Sequence, residues 1–119
     1  MTLAAAPPGL LWAMSFDEQG CGHLLPPEDA LPDLDAFGSD FLWLHLDLKA
    51  AELGPLVDAG HVGPWALVEA VFCPDEHQRV AVEAEHIGGV VADLARPGAK
   101  PDAARRLHFV MGLRSLVSG

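Results

Sequence analysis

The eight residues Phe41-Leu42-Trp43-Leu44-His45-Leu46-Asp47-Leu48 put a leucine at every even position and Phe41, Trp43, His45 and Asp47 at the odd ones. Alternation with period two predicts a β-strand, and leucines on one face with aromatics on the other predict a sheet largely covered on both sides. Asp47 stands where the strand passes into helical composition, which predicts it as a helix N-cap. A strand buried in this way and running into a helix needs layers around it, so the expected class is α/β (α+β).

At 119 residues, half of them apolar, the chain is long enough for one domain spanning 1–119, with a core that needs neither disulfide nor metal. No apolar run reaches the roughly 18 residues of a membrane helix. The stretch Leu3-Ala4-Ala5-Ala6-Pro7-Pro8 lacks the basic start and long apolar core of a signal peptide. These features predict a soluble, cytoplasmic chain. Cys21 and Cys73 stand far apart and outside any CxxC pattern, which predicts free, buried or half-buried thiols in a reducing compartment. The net charge of −10 argues against a nucleic-acid partner. The charge is also unevenly placed: residues 1–48 hold eight acids and no Lys or Arg, whereas from Arg96 onward five bases face the single acid Asp102. An acidic front half raises the local cation concentration, or simply keeps the surface soluble.

Along the chain, residues 9–17 predict a first strand and His23-Leu24-Leu25 a short hairpin partner closed by Pro26-Pro27. An acidic loop spans 28–40. Lys49–Ala59 is helical in composition, and Gly54-Pro55 inside it predicts two short helical pieces. A second helix starts at Gly63-Pro64, with Pro64 as its first residue and Leu67, Val68, Val71 and Phe72 on one face, and Pro74 ends it. The period then returns to two: Arg79–Ala84, a turn at Glu85-His86 and Ile87–Leu94 predict a hairpin, with Gly88-Gly89 marking a bulge or a close backbone approach. Residues 96–104 form a loop, and 107–117 give two short strands broken near Gly112. The expected sheet is mixed and largely antiparallel, flanked by helices. Its core is Trp12, Leu42, Leu44, Leu46, Val80, Val82, Val90, Leu107, Phe109 and Val117, with the helix face of Leu67, Val68, Val71 and Phe72 packed on it.

Chemistry-bearing residues are few. His45 and Asp47 share a strand face and form a possible ligand or acid–base pair, although their apolar setting favours a structural histidine. Cys73-Pro74-Asp75-Glu76-His77 gathers a thiol, two carboxylates and an imidazole, and Asp75, Glu76 and His77 are the candidate metal-binding residues. No second ligand pair with metal spacing follows, unless His86 with Glu83 and Glu85 is brought near. Cys73 with His77 is a nominal nucleophile and base. No glycine-rich nucleotide fingerprint, phosphate loop or nucleophile elbow occurs, so no enzymatic activity and no required cofactor are expected. Trp12, Trp43 and Trp65 lie on apolar segments and read as core.

Taken in order, Leu11-Trp12-Ala13, Gly20-x-Gly22, the strand Phe41–Leu48, Glu69-Ala70, Glu76-His77-Gln78-Arg79-Val80-x-Val82-Glu83 and Phe109–Val117 resemble the N-terminal cytoplasmic domain of the CorA-type divalent-metal transporters, closest to the zinc-transporter (ZntB-like) branch. The resemblance implies a mixed sheet between helical layers in a homopentameric inner-membrane protein. The domain would lie on the cytoplasmic face, feeding a stalk helix and two membrane helices with Gly-Met-Asn at the pore mouth. None of those later parts is in this sequence, so membrane contact would come only through a missing C-terminal part. The implied role is regulation and assembly of a zinc or magnesium transporter, with divalent cations as partners. A stand-alone binding domain of the same fold is the alternative. The abrupt end after the apolar run to Val117 suits either a terminal strand or a piece of something longer.

Overall fold

A computed structural model of the chain describes residues 7–26, 40–75, 77–92 and 106–119. Seven strands form one sheet: β1 (Leu10–Phe16), β2 (Gly22–Leu24), β3 (Phe41–Leu46), β4 (Arg79–Glu83), β5 (His86–Ala92), β6 (Arg106–Met111) and β7 (Ser115–Ser118). Between β3 and β4 lie two short helices, α1 (Leu53–Asp58) and α2 (Trp65–Val71). The strand order is β2-β1-β3-β7-β6-β5-β4, and among the described residues only β3 with β7 is parallel. The sheet is therefore mixed and largely antiparallel, as expected. The tight Ala84-Glu85 turn joins β4 to β5, one residue earlier than the sequence suggests, with both residues at positive φ (47° and 63°).

Strand parity decides which side chains are buried. Register aligns Leu42 and Leu44 with Ser15 and Ala13 on β1 and with Ser115 and Val117 on β7. It carries the same face across Val110 and His108 to Gly88 and Val90. Leu56, Val62, Leu67, Val68 and Val71 from the helical segment cover this face and complete the core. Leu42, Leu44, Val68, Val90 and Val117 have no exposed surface. Gly88 and Gly89 mark a close approach rather than a bulge, since the β4–β5 register is unbroken. A Cβ on Gly88 would sit 2.8 Å from Val71 Cγ2, and one on Gly89 would sit 2.6 Å from the Arg79 carbonyl oxygen.

The opposite face, carrying Trp12, Met14, Phe41, Trp43, His45, Phe109, Val80 and Val82, has no helix over it among the described residues. The expected core is corrected there: Val80 and Val82 are 61% and 73% exposed and Leu107 is exposed, because parity turns them away from the helical layer. Trp12 and Phe109 are only half-buried, and Trp65 is 48% exposed on the outside of α2.

Local chemistry explains three further differences. Asp47 caps a turn, not a helix: its Oδ1 accepts the Lys49 N–H at 3.1 Å, and its carbonyl accepts from Ala50 and Ala51. Gly54-Pro55 does not split a helix but lies in the first turn of α1, where backbone N–H groups have no intrahelical acceptor and proline costs little. Pro64 is the N-cap residue of α2 rather than its first helical residue.

Candidate functional site

The loop that carries the candidate ligands is built around Arg79. Its Nε and Nη2 donate to the Ala70 carbonyl at 3.1 and 2.7 Å, and Nη1 donates to the carbonyls of His77 and Asp75 at 2.6 and 3.1 Å. Nη2 also lies 3.2 Å from Cys73 Sγ, while the Cys73 thiol donates to the Ala70 carbonyl at 3.6 Å. Beside it the buried His108 donates from Nδ1 to the Val71 carbonyl at 2.7 Å. Two orphan carbonyls at the end of α2 thus receive donors from β4 and β6, and the guanidinium complements the negative end of the helix dipole.

This arrangement accounts for Cys73 and Asp75 structurally. Asp75 Oδ1 accepts the His77 N–H at 3.0 Å, closing a small turn, and Oδ2 lies 3.9 Å from Arg79 Nη1. Asp75 and His77 are exposed, and Glu76 lies outside the described residues. Among the described residues no three His, Cys, Asp or Glu side chains gather into a group able to hold a metal ion. His86, the suggested extra ligand, instead donates from Nδ1 to the Ala84 carbonyl at 2.7 Å. Both cysteines are free, with Cys73 half-buried and Cys21 exposed rather than buried.

His45 and Asp47 do not act together. Asp47 leaves the strand for its turn, and His45 joins a cluster on the uncovered sheet face. The Trp43 indole N–H donates to Ser118 Oγ at 2.9 Å, and His45 Nδ1 lies 2.9 Å from the same oxygen. Trp12 stacks on the His45 ring (5.2 Å, 25°) and meets Trp43 edge-on (4.9 Å, 71°). The parallel β3–β7 pairing brings Ser118 to this place, so sequence spacing gave no signal for it. The result is a semi-exposed aromatic centre flanked by Phe41, Phe109 and Met111. Such a surface suits packing against another apolar element.

At the far edge, Asp17 organises the β1–β2 turn. Its Oδ1 accepts the N–H groups of Gln19 (3.0 Å) and Cys21 (2.9 Å), and Oδ2 lies 3.2 Å from His23 Nε2. The hydrogen bond from Cys21 first, and then the one to His23, hold the Asp17 carboxyl below the ordinary aspartate range. The folded-state value is the lower one, so the turn's contribution is present above the unfolded-state value. It is lost as pH falls through the folded one. NMR titration should therefore give Asp17 a midpoint below that of free aspartate, and His23→Ala should raise it. A midpoint at or above the free value would remove Asp17 from this role.

No helix among the described residues is long and apolar enough to cross a membrane. No family model matches the chain, and no curated protein matches it. Solved structures do. The full-length CmaX protein superposes with a TM-score of 0.69 at 20% identity, over 92% of this chain and 34% of that one. The ZntB cytoplasmic domain from Vibrio parahaemolyticus RIMD 2210633 superposes with a TM-score of 0.64 at 11% identity, over 92% of this chain and 43% of that one. The chain thus spans less than half the length of either. Its seven-stranded mixed sheet with two helices is the fold of the ZntB cytoplasmic domain.

Proposed function

We propose that this chain is part of the cytoplasmic regulatory and assembly domain of a zinc or magnesium transporter, acting without enzymatic activity and without a resident cofactor. The observation that carries this reading is the one-sided sheet. One face is closed by α1 and α2, while the other leaves Trp12, Trp43, Phe109 and Val82 without a helical layer among the described residues. Exposed apolar surface on this scale serves as an interface. A domain of this fold that makes up 43% of the ZntB cytoplasmic domain leaves ample chain in such a protein to cover it.

The proposed domain works in a homopentamer at the cytoplasmic face of the inner membrane, reached through chain beyond this sequence. Its charge of −10 draws divalent cations toward it. Asp75, Glu76 and His77 are the side chains proposed to meet a cation, in competition with Arg79 for Asp75. Calorimetric titration with zinc and with magnesium tests that part: heat lost in Asp75→Asn and His77→Ala supports it, and heat unchanged in both ends it. The reading as a whole is tested by sequencing the source gene past the Gly119 codon. A frame that continues through a long polar helix and two apolar runs of about 20 residues upholds it. An immediate stop codon overturns it.

A further inference from the structure

Strand β6 sets Arg106 and His108 two residues apart on the helix-covered face of the sheet, at the end where β3 passes into the Asp47 turn. Gly119 ties them to β3. It exchanges backbone hydrogen bonds with His108, at 2.9 Å in both directions, one residue past the His45–Ser118 pair. The turn at Asp47, whose Oδ1 accepts the Lys49 N–H, brings the exposed Lys49 to the same end. An open cleft of about 330 Å³ lies here, with Leu46, Asp47, Lys49, Arg106, His108 and Gly119 in its lining. That volume is at the lower end of the roughly 300–1,000 Å³ of ligand pockets.

His108 makes this cleft chemically specific. It is only 6% exposed, and its Nδ1 donates to the Val71 carbonyl at 2.7 Å. That bond fixes the neutral ring with its proton on Nδ1 and a lone pair on Nε2. Among the described residues no group bonds Nε2. A buried polar atom without a protein partner is matched by water or by a ligand. We propose that the cleft binds inorganic phosphate as hydrogen phosphate, the dianion that keeps one P–OH. Lys49 and Arg106 supply positive charge and N–H donors for its bare oxygens, and the P–OH donates to His108 Nε2. The Asp47 carboxylate is a second acceptor, so the site acts against oxyanions that have no proton to give. Sulfate has the shape of hydrogen phosphate and the same charge without the proton. A phosphate monoester loses its last proton near pH 6. At about pH 8 both turn a bare oxygen toward the Nε2 lone pair.

Calorimetric titration of the 119-residue chain at about pH 8 and constant ionic strength separates these ions. Inorganic phosphate should bind at least about tenfold tighter than sulfate or glycerol phosphate, the loss expected when one buried acceptor is left unmatched. Lys49→Ala should weaken phosphate about threefold and keep the preference over sulfate, since the position is exposed. His108→Asn keeps a donor for Val71 and removes the Nε2 acceptor, so it should bind the two ions alike. Nitrogen NMR of the unmodified chain reads the contact directly: the His108 Nε2 resonance should move with phosphate and stay still with sulfate. Absence of phosphate binding overturns the proposal, as does equal affinity for sulfate or glycerol phosphate. So does an Nε2 resonance unmoved by phosphate, or a folded His108→Asn variant that still prefers phosphate.

Discussion

Leu44→Ala is expected to lower the free energy of unfolding by about 2–5 kcal/mol. Leu44 is fully buried, pairs with Ala13 on β1 and Val117 on β7, and belongs to the cluster completed by Leu56 and Val68. Three side-chain carbons separate leucine from alanine, but their loss opens a cavity where three strands and the helical layer meet, and close-packed neighbours relax only partly. For a chain of this size the melting temperature should fall by about 10 °C or more. Leu24→Ala is the matched control. Leu24 is 68% exposed on the edge strand β2, so its truncation should change stability by no more than about 0.5 kcal/mol. Urea denaturation of both variants decides the matter: equal losses would mean that the helical layer does not seal the Leu44 face.

Arg79→Ala is the second large effect, expected to cost about 3 kcal/mol. The side chain is 27% exposed, so its value lies less in charge than in donors. Its removal leaves the carbonyls of Ala70, Asp75 and His77 without their guanidinium partner and releases the loop between α2 and β4. Arg79→Lys should recover less than half of the loss, because one ammonium cannot span carbonyls that a planar fork reaches from two sides. Faster amide exchange at Val71 and Phe72 should accompany the loss, since these close the last turn of α2. Full rescue by lysine would show that charge near the helix end, and not the fork, is what matters.

Much of this was legible in the sequence, and the reasons differ by element. The Phe41–Leu46 strand announced itself because leucine at every second position has no helical reading, and the hairpin from Arg79 to Ala92 was marked by the same change of period. Which face would be covered was not legible. Val80 and Val82 alternate as Leu42 and Leu44 do, and only the register through β5, β6 and β7 shows that they fall on the other side. Pro55 was read as a break because composition does not show where a helix begins. The surroundings of the candidate site were less legible. The spacing of Cys73, Asp75 and His77 does not show that Arg79 binds the neighbouring His77 and Ala70 carbonyls and closes the helix. Ser118 drew no notice, since its partners Trp43 and His45 precede it by 75 and 73 positions.

The single parallel ladder has a consequence for how the molecule is made. β1, β2 and β3 form one antiparallel group, and β4 to β7 form a meander. Among the described residues only β7 joins the two in the sheet, through Leu42–Ser115, Trp43–Leu116, Leu44–Val117 and His45–Ser118. During synthesis the first group therefore emerges with one side of β3 unsatisfied, and it stays so until Ser115–Ser118 leave the ribosome. Removing Ser115–Gly119 would divide the sheet in two. The nascent protein must wait for β7, and an N-terminal fragment ending before Ser115 should bind chaperones rather than fold.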